Sequence, residues 1–271
     1  MGGGGAEFME IWEIFFISLL PLTLFPVMQS ISYQKNWLQR NYEGKRIPYT
    51  LGVLLLSYTA LFFYVFPVEH RLLLLVYITL LWFVGWMDDV KGTKYPKGIK
   101  GHLRYFIEYK KWTTALTKML GISVASFFVI FVSADMDWGA LISFGILILS
   151  PHVTNAFDTR PLRVWKWSVI QFIIFSFFLP SIQENIALYM FIFLIVWGYV
   201  ETTKKAMLGD NGATCIGGII AVLLVFSTPL SVQLVTLFLY VGITWIVEKI
   251  SLHEWIEKIS MLRAIDRLGR L

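Results

Sequence analysis

The chain is poor in the residues on which small secreted domains and zinc-bound folds depend. It has a single cysteine, Cys215, among 271 residues, which excludes an internal disulfide and a zinc site built on cysteines. Charged residues make up only 15% of the chain, whereas hydrophobic residues make up 57%. A soluble domain could not bury that much apolar surface, so the composition predicts an integral membrane protein.

Long apolar segments recur along the whole chain between short polar loops. They predict an all-α fold, a polytopic membrane bundle of about nine transmembrane helices. Several segments are shorter than a full bilayer crossing and would have to borrow flanking residues. The predicted spans are Ile11–Ser32, Thr50–Pro67, Leu72–Met87, Met119–Ala134, Gly139–Ala156, Trp167–Pro180, Asn185–Val200, Ala213–Ser227 and Val232–Val247.

The loops predict the orientation and the domain limits. All but one of the 23 lysines and arginines, Arg71, fall in odd-numbered loops or in the tail. The positive-inside rule then puts the N-terminus outside and the C-terminus in the cytoplasm. Residues 1–10, which include four consecutive glycines, resemble an added tag. Residues 11–247 would form the transmembrane catalytic domain, and residues 248–271 an amphipathic cytoplasmic tail that lies along the interface or packs under the bundle.

Four aspartates fall at predicted helix ends on the cytoplasmic side. Asp88 and Asp89 end the third span, Asp158 follows the fifth, and Asp210 precedes the eighth. Charge at that depth is costly and usually marks a site. Adjacent carboxylates repel each other, and a divalent cation that holds a phosphate would relieve the repulsion. The structural alternative is that these aspartates end or cap their helices in water.

Three neighbouring features favour a phosphate ligand. Asn155 and Asp158 share a helix face, and Gly209 lets the backbone approach a ligand at a helix N-terminus that attracts phosphate. The basic loop that ends at Lys118 could pair with a lipid phosphate or a nucleotide diphosphate. For most of its cations the alternative is topogenic charge near anionic headgroups, but Lys118 sits where a span begins and can face a cavity.

These motifs together resemble one enzyme superfamily. Gly85-x-x-Asp88-Asp89, Asn155-x-x-Asp158 and Leu208-Gly209-Asp210-x-Gly212-Ala213 are similar to motifs of the polyprenyl-phosphate N-acetylhexosamine-1-phosphate transferases. That superfamily includes phospho-N-acetylmuramoyl-pentapeptide transferase. The stretch Arg46-Ile47-Pro48 is similar to its first cytoplasmic loop. The resemblance covers residues 41–221, with the motifs in the order that the superfamily has them.

The resemblance implies an activity, a cofactor and roles for residues. Such enzymes transfer a sugar-1-phosphate from a nucleotide sugar, usually UDP-linked, to a polyprenyl phosphate and release UMP, with Mg²⁺ or in its place Mn²⁺. By position, Asp210 would be the principal metal ligand, and Asp88 and Asp89 would bind metal or deprotonate and orient the lipid phosphate. Asp158 would line the donor site. Substrate contacts would come from Asn155, Lys118, Lys100, His102, Arg104, Arg160, Gly209 and Arg46.

The chain departs from the superfamily in two places, which indicates a short branch. Thr159-Arg160-Pro161-Leu162 follows Asp158 where many members have a second Asp, and His253 is the only late histidine in place of a histidine cluster. We expect a multi-pass protein of the cell membrane, in bacteria the cytoplasmic membrane, with a cytoplasmic active site that starts a cell-envelope glycan. Its partners would be the polyprenyl phosphate, the nucleotide-sugar donor and the membrane, and we expect no binding to nucleic acid. The sequence leaves open whether the chain forms a homodimer. The alternatives are an inactive relative that binds lipid phosphate and a transporter that uses the carboxylates.

Overall fold

The structure is a computed structural model that describes residues 10–92, 96, 98–133, 136–178, 184–250 and 252–269. Within these residues it consists of helices and one short hairpin. The predicted tag, residues 1–10, lies outside the described residues except for Glu10. The elements are α1 (Ile11–Gln34), β1 (Leu38–Arg40), β2 (Arg46–Pro48), α2 (Leu51–Val65), α3 (Arg71–Lys91), α4 (Gly98–Tyr109), α5 (Thr114–Ser133), α6 (Trp138–Phe157), α7 (Arg163–Ser176), α8 (Glu184–Thr202), α9 (Gly209–Ser227), α10 (Leu230–Lys249), α11 (Leu252–Lys258) and α12 (Ser260–Arg267).

The helices confirm the prediction of a helical membrane bundle. Seven of them in the described part of the chain are long and apolar enough to cross a membrane, namely α1, α3, α5, α6, α8, α9 and α10. The other two predicted spans correspond to the shorter helices α2 and α7, of 15 and 14 residues. Every predicted span therefore contains a helix, although Ala134 and Pro180, which end two of them, lie outside the described residues.

Helix α9 is the centre around which the others pack. Its apolar stretch is 72% buried inside the bundle, against 17–44% for the other six candidate spans. Helices α2, α3 and α6 surround it, and their backbones come close because both sides carry small residues. A Cβ atom added to Gly85 of α3 would lie 2.5 Å from the Asp210 carbonyl oxygen and 2.7 Å from the Asn211 Cα. This contact fixes the end of α3 against the start of α9.

The Gly85 contact predicts a large difference between two glycine substitutions. We expect Gly85→Ala to lower the unfolding temperature, because the added methyl group has no space between α3 and α9 and overpacking typically costs ~1–3 kcal/mol. Gly242→Ala is the matched control, since nothing lies within 4 Å of a Cβ atom at Gly242 of α10. Thermal unfolding of both variants in detergent measures the difference. Equal unfolding temperatures would contradict the backbone contact.

The loop between α1 and α2 folds into the hairpin, which sequence patterns did not predict. Its strands are antiparallel, with Gln39 opposite Ile47. The Asn41 side-chain oxygen accepts hydrogen bonds from the backbone N–H groups of Glu43 and Lys45, at 3.0 and 2.9 Å, and closes the turn. The Met207 N–H donates to the Pro48 carbonyl at 2.9 Å, so the hairpin is attached beside the start of α9.

The C-terminal tail packs under the bundle through a buried ion pair. Arg163, at the start of α7, donates from Nε and Nη2 to the two carboxylate oxygens of Asp266 on α12, both at 2.7 Å. Both side chains are almost wholly buried, as are Leu252 and Ile256 of α11. The apolar side of the tail therefore packs against the rest of the protein. Packing under the bundle was one of the two interpretations of the tail sequence, and lying along the membrane interface was the other.

Candidate functional site

Two aspartates and a lysine meet at the end of the bundle where α3 ends and α5 and α9 begin. We call this end the aspartate end of the bundle. The Lys118 ammonium lies 2.7 Å from Asp88 Oδ2 and 2.9 Å from Asp210 Oδ2. The Lys118 and Asp88 side chains are only 12% and 13% exposed. Thr114, one turn before Lys118 on α5, donates its hydroxyl to Asp88 Oδ1 at 2.5 Å. Residues far apart in sequence are thus brought to one point, and we call Asp88, Lys118 and Asp210 the ion cluster.

Asp89 has a different role from its neighbour Asp88. Its Oδ1 accepts from the Asp210 N–H at 3.0 Å, and its Oδ2 accepts from the backbone and side-chain N–H groups of Asn211 at 2.9 and 2.6 Å. Asp89 therefore caps the first turn of α9, whose N–H groups have no partner within the helix. Gly209, with φ of +68°, brings the backbone close to this carboxylate.

Asp158 lies on the other side of Gly209, beside a polar cavity of about 290 Å³. Burial raises the pKa of Asp158 well above its ordinary value, and the negative charge of Glu201 raises it further. Three cations, Arg40, Arg160 and Lys204, share the lining of this cavity with the two acids. The Arg160 guanidinium lies over the Tyr42 ring, 4.9 Å from its centre. The cavity combines positive charge with an aromatic face, a combination suited to a nucleotide.

The wall of this cavity is reinforced from the hairpin. Lys204 pairs with Glu43 at 2.5 Å, and this ammonium lowers the pKa of Glu43 to about 2. The pair joins the turn of the hairpin to the end of α8. Lys204 is therefore held at the rim of the cavity by a residue of the first loop.

Helix α4 brings one predicted residue to the ion cluster and leaves two outside. The His102 ring lies 3.1 Å from the Thr113 hydroxyl and within electrostatic range of Asp88 and Lys118; burial lowers the pKa of His102. Lys100 and Arg104 are exposed on the same helix, and Arg104 pairs with Glu108 at 2.6 Å.

Two further predicted residues are not members of the ion cluster. Arg46 is exposed on β2 and donates to Asn36 Oδ1 at 2.8 Å. Asn155 is on α6, three residues before Asp158, and its Oδ1 is buried without a hydrogen-bond partner. The contact of Arg46 is local, whereas the buried oxygen of Asn155 has no hydrogen-bond partner among the described residues.

Sequence patterns missed several residues that shape the site. Thr114 holds Asp88, and Gln39 of β1 donates from Nε2 to the Asp89 carbonyl at 3.1 Å. Asn211 also donates to the Tyr49 carbonyl at 3.1 Å. Thr114 could have been found from its spacing, because residues four apart on a helix share a face with each other. No local signal distinguishes Gln39 or Asn211.

Asp88 and Asp210 are the residues best placed to hold a divalent cation. With Asp89, the three carboxylates outnumber the one ammonium, so the formal charge of the group is negative. Among the described residues, no group of three or more His, Cys, Asp and Glu side chains is arranged so that it could hold a metal ion by itself. Mg²⁺ does not need such a group, because it commonly takes one or two carboxylates and completes its octahedron with water and substrate phosphate. The donor set fits Mg²⁺ on that basis.

No protein-family model matches the chain, and no curated protein sequence matches it.

Proposed function

We propose that the protein transfers a sugar-1-phosphate from a UDP-sugar to a polyprenyl phosphate and releases UMP. The observation that carries the proposal is the ion cluster, in which Asp88, Lys118 and Asp210 converge from three membrane helices. Phosphoryl transfer needs two phosphate groups held in line and their charge neutralised, and little covalent chemistry from the protein. A cluster that offers one ammonium and two carboxylates able to hold a metal ion is suited to a lipid phosphate and a soluble donor.

Lys118 would neutralise phosphate charge directly. Its ammonium is at the end of a flexible four-carbon stem, so it can pass from the carboxylates to a substrate phosphate with a small movement. Asp88 and Asp210 would hold Mg²⁺, which when bound would neutralise the donor diphosphate. Asp89 would act indirectly. It would hold the first turn of α9 in place and thereby fix the position of Asp210.

The polyprenyl phosphate would attack the donor directly. A phosphate monoester has a second pKa near ~6, so it is mostly dianionic at neutral pH and needs no strong base. Asp88 would therefore orient the acceptor. A lipid phosphate oxygen forms a bond to the β-phosphorus of the donor, the bond from that phosphorus to the bridging oxygen breaks, and UMP leaves with the bridging oxygen.

The cavity beside Asp158 would hold the nucleoside part of the donor. Arg40, Arg160 and Lys204 supply positive charge there, and the Tyr42 ring, over which the Arg160 guanidinium lies, adds aromatic surface. From this cavity the diphosphate would extend past Gly209 to Lys118. The transporter alternative is less well supported, because the four aspartates lie at one end of the bundle and not along a path across it.

The proposal includes the nine crossings and the orientation that the basic loops predict. The aspartate end would face the cytoplasm, where nucleotide sugars are made, and the membrane would be the cytoplasmic membrane of a bacterium. A multi-pass membrane location is indicated by the seven apolar helices.

Two engineered cysteines test the orientation. Cys215 is the single cysteine of the chain and is buried. The Cys215→Ala variant therefore provides a background without a thiol. In that background, we expect Glu69→Cys, at a side chain 89% exposed, to react with a membrane-impermeant maleimide on intact cells. Lys45→Cys, at a side chain 72% exposed, should react only after permeabilisation. The reverse labelling pattern would overturn the orientation.

A transfer assay tests the proposed function. Purified protein in detergent is supplied with undecaprenyl phosphate and a panel of UDP-sugars labelled in the sugar, with Mg²⁺ or with EDTA. We expect a labelled lipid product from at least one donor, formed with Mg²⁺ and lost with EDTA. No product from any donor, with a folded protein that still binds the lipid phosphate, would favour the inactive lipid-binding relative.

A further inference from the structure

A row of polar side chains on α6 lies outside the ion cluster. His152 and Asn155 are three residues apart and share a helix face, and Asp158 follows after three more. At 1.5 Å per residue, the row extends roughly 9 Å into the bundle from the polar cavity beside Asp158. It therefore leads from the proposed nucleoside site towards the interior.

Two atoms of this row have no partner among the described residues. His152 Nε2 and Asn155 Oδ1 are both buried and make no hydrogen bond. On α10, which packs against α6, the Thr244 hydroxyl is buried and unpaired as well. Buried polar groups are nearly always paired, and each unpaired one is costly. With the Thr154 hydroxyl of α6, which is also buried and unpaired, these are four such atoms on two neighbouring helices, and they point to a ligand that supplies missing hydrogen bonds.

The row lies beside the ion cluster. The His152 ring is within electrostatic range of Lys118 on α5 and Glu248 on α10. Glu248 shares a face of α10 with Thr244, four residues before it, and its Oε1 accepts from the Ile99 N–H of α4 at 2.9 Å. A ligand group at His152 would therefore be next to the phosphates held by Lys118.

We infer that His152, Asn155 and Thr244 form the subsite that binds the sugar hydroxyl groups of the donor, an inference that rests on the proposed function. An imidazole nitrogen, a carboxamide oxygen and a hydroxyl match sugar hydroxyls, each of which both donates and accepts. A second phosphate would need cations, and an apolar lipid chain could not pair with any of these atoms. The sugar is also the part of the donor that adjoins the β-phosphate.

Two of the other histidines, His253 and His70, do not compete for this role. His253 Nδ1 lies 3.1 Å from Nη2 of Arg163, so it belongs to the buried contact that holds the tail. His70 lies at the opposite end of the bundle, before the first residue of α3, and pairs with Glu69. His70→Ala is therefore a matched control for His152→Ala.

Binding to purified protein by isothermal titration calorimetry, with UDP, UDP-glucose and UDP-N-acetylglucosamine as the probes, tests the inference. We expect the wild type to bind one of the UDP-sugars more tightly than UDP. His152→Ala and Asn155→Ala should each weaken that UDP-sugar at least tenfold and change UDP less than twofold. His152→Asn, which keeps a neutral donor and acceptor, should recover part of the loss, and His70→Ala should change nothing.

The outcomes separate the inference from the proposed function. Unchanged UDP-sugar affinity in both alanine variants, or equal losses for UDP and the UDP-sugar, would overturn the sugar subsite. If the wild type binds none of the three nucleotides, the proposed function itself fails, and the inference fails with it. Thermal unfolding of each variant shows whether the variant is folded at the temperature of the binding experiment, so that a loss of affinity is not caused by unfolding.

Discussion

Asp210→Asn is expected to lower the rate of transfer on the order of 1,000-fold while the protein stays folded. The amide has the shape of the carboxylate, and its oxygen can still accept from Lys118, which lies 2.9 Å from Asp210 Oδ2. It lacks the charge with which the side chain would hold a divalent cation. Steady-state transfer with purified protein measures the rate, and Mn²⁺ titration followed by electron paramagnetic resonance measures the metal site without reference to activity.

Asp137→Asn is the matched control for this substitution. Asp137 lies at the other end of the bundle and caps α6 by accepting from the Ala140 N–H at 2.9 Å, a role that asparagine can also fill. We expect its rate and its Mn²⁺ affinity to match the wild type. Full activity of Asp210→Asn, or Mn²⁺ binding as tight as in the wild type, would overturn the assignment of Asp210 as a metal ligand.

Asp88 and Asp89 are adjacent, yet their substitutions should have different effects. Asp88→Asn is expected to lose transfer on the order of 100-fold or more with little change in stability, because the amide oxygen can still accept from Lys118 and the amide nitrogen can donate to the Thr114 hydroxyl. Asp89→Ala is expected to lose stability as well, by about 2 kcal/mol or more, because it leaves the first N–H groups of α9 unpaired. Thermal unfolding and transfer rates on the same samples distinguish the two.

Asp89→Asn gives the finer comparison. The amide oxygen can still accept one of the N–H groups of α9, but the amide nitrogen faces another donor. We expect a stability between those of the wild type and Asp89→Ala. If Asp89→Ala were as stable as the wild type and Asp88→Asn were the unfolded one, the division of roles between the two carboxylates would be reversed.

The membrane helices could be predicted because the bilayer imposes a strong rule on the sequence. A spanning segment must be apolar and must pair its own backbone, so hydropathy alone found a helix for each predicted span. Helix α4 was missed, since it is amphipathic and has no fully buried residue in the structure. The hairpin was missed because three-residue strands leave almost no periodic pattern, and the Asn41 turn that closes it is local chemistry.

The candidate site could be predicted only in part. Carboxylates at membrane helix ends are rare, so Asp88, Asp89 and Asp210 stood out in the sequence. The placement of Asp88 and Asp210 in the ion cluster and of Asp89 as a helix cap depends on the approach of α3 to α9 at Gly85, which no local pattern encodes. Basic residues were harder to sort. Arg104 was predicted to contact substrate, and it is exposed in the structure. Sequence patterns cannot separate the two classes, because loop cations that set the topology and cations that bind substrate have the same sequence signature.

The most direct test of the proposed reaction follows one phosphorus atom. The donor that the transfer panel selects is labelled with ³²P in its β-phosphate and incubated with undecaprenyl phosphate and Mg²⁺. If the chain transfers a sugar-1-phosphate at the ion cluster, the label will move to the lipid and the released UMP will carry none, in the wild type and not in Asp210→Asn. Label that stays in UDP while sugar reaches the lipid, or label that reaches the lipid equally well with Asp210→Asn, would contradict it.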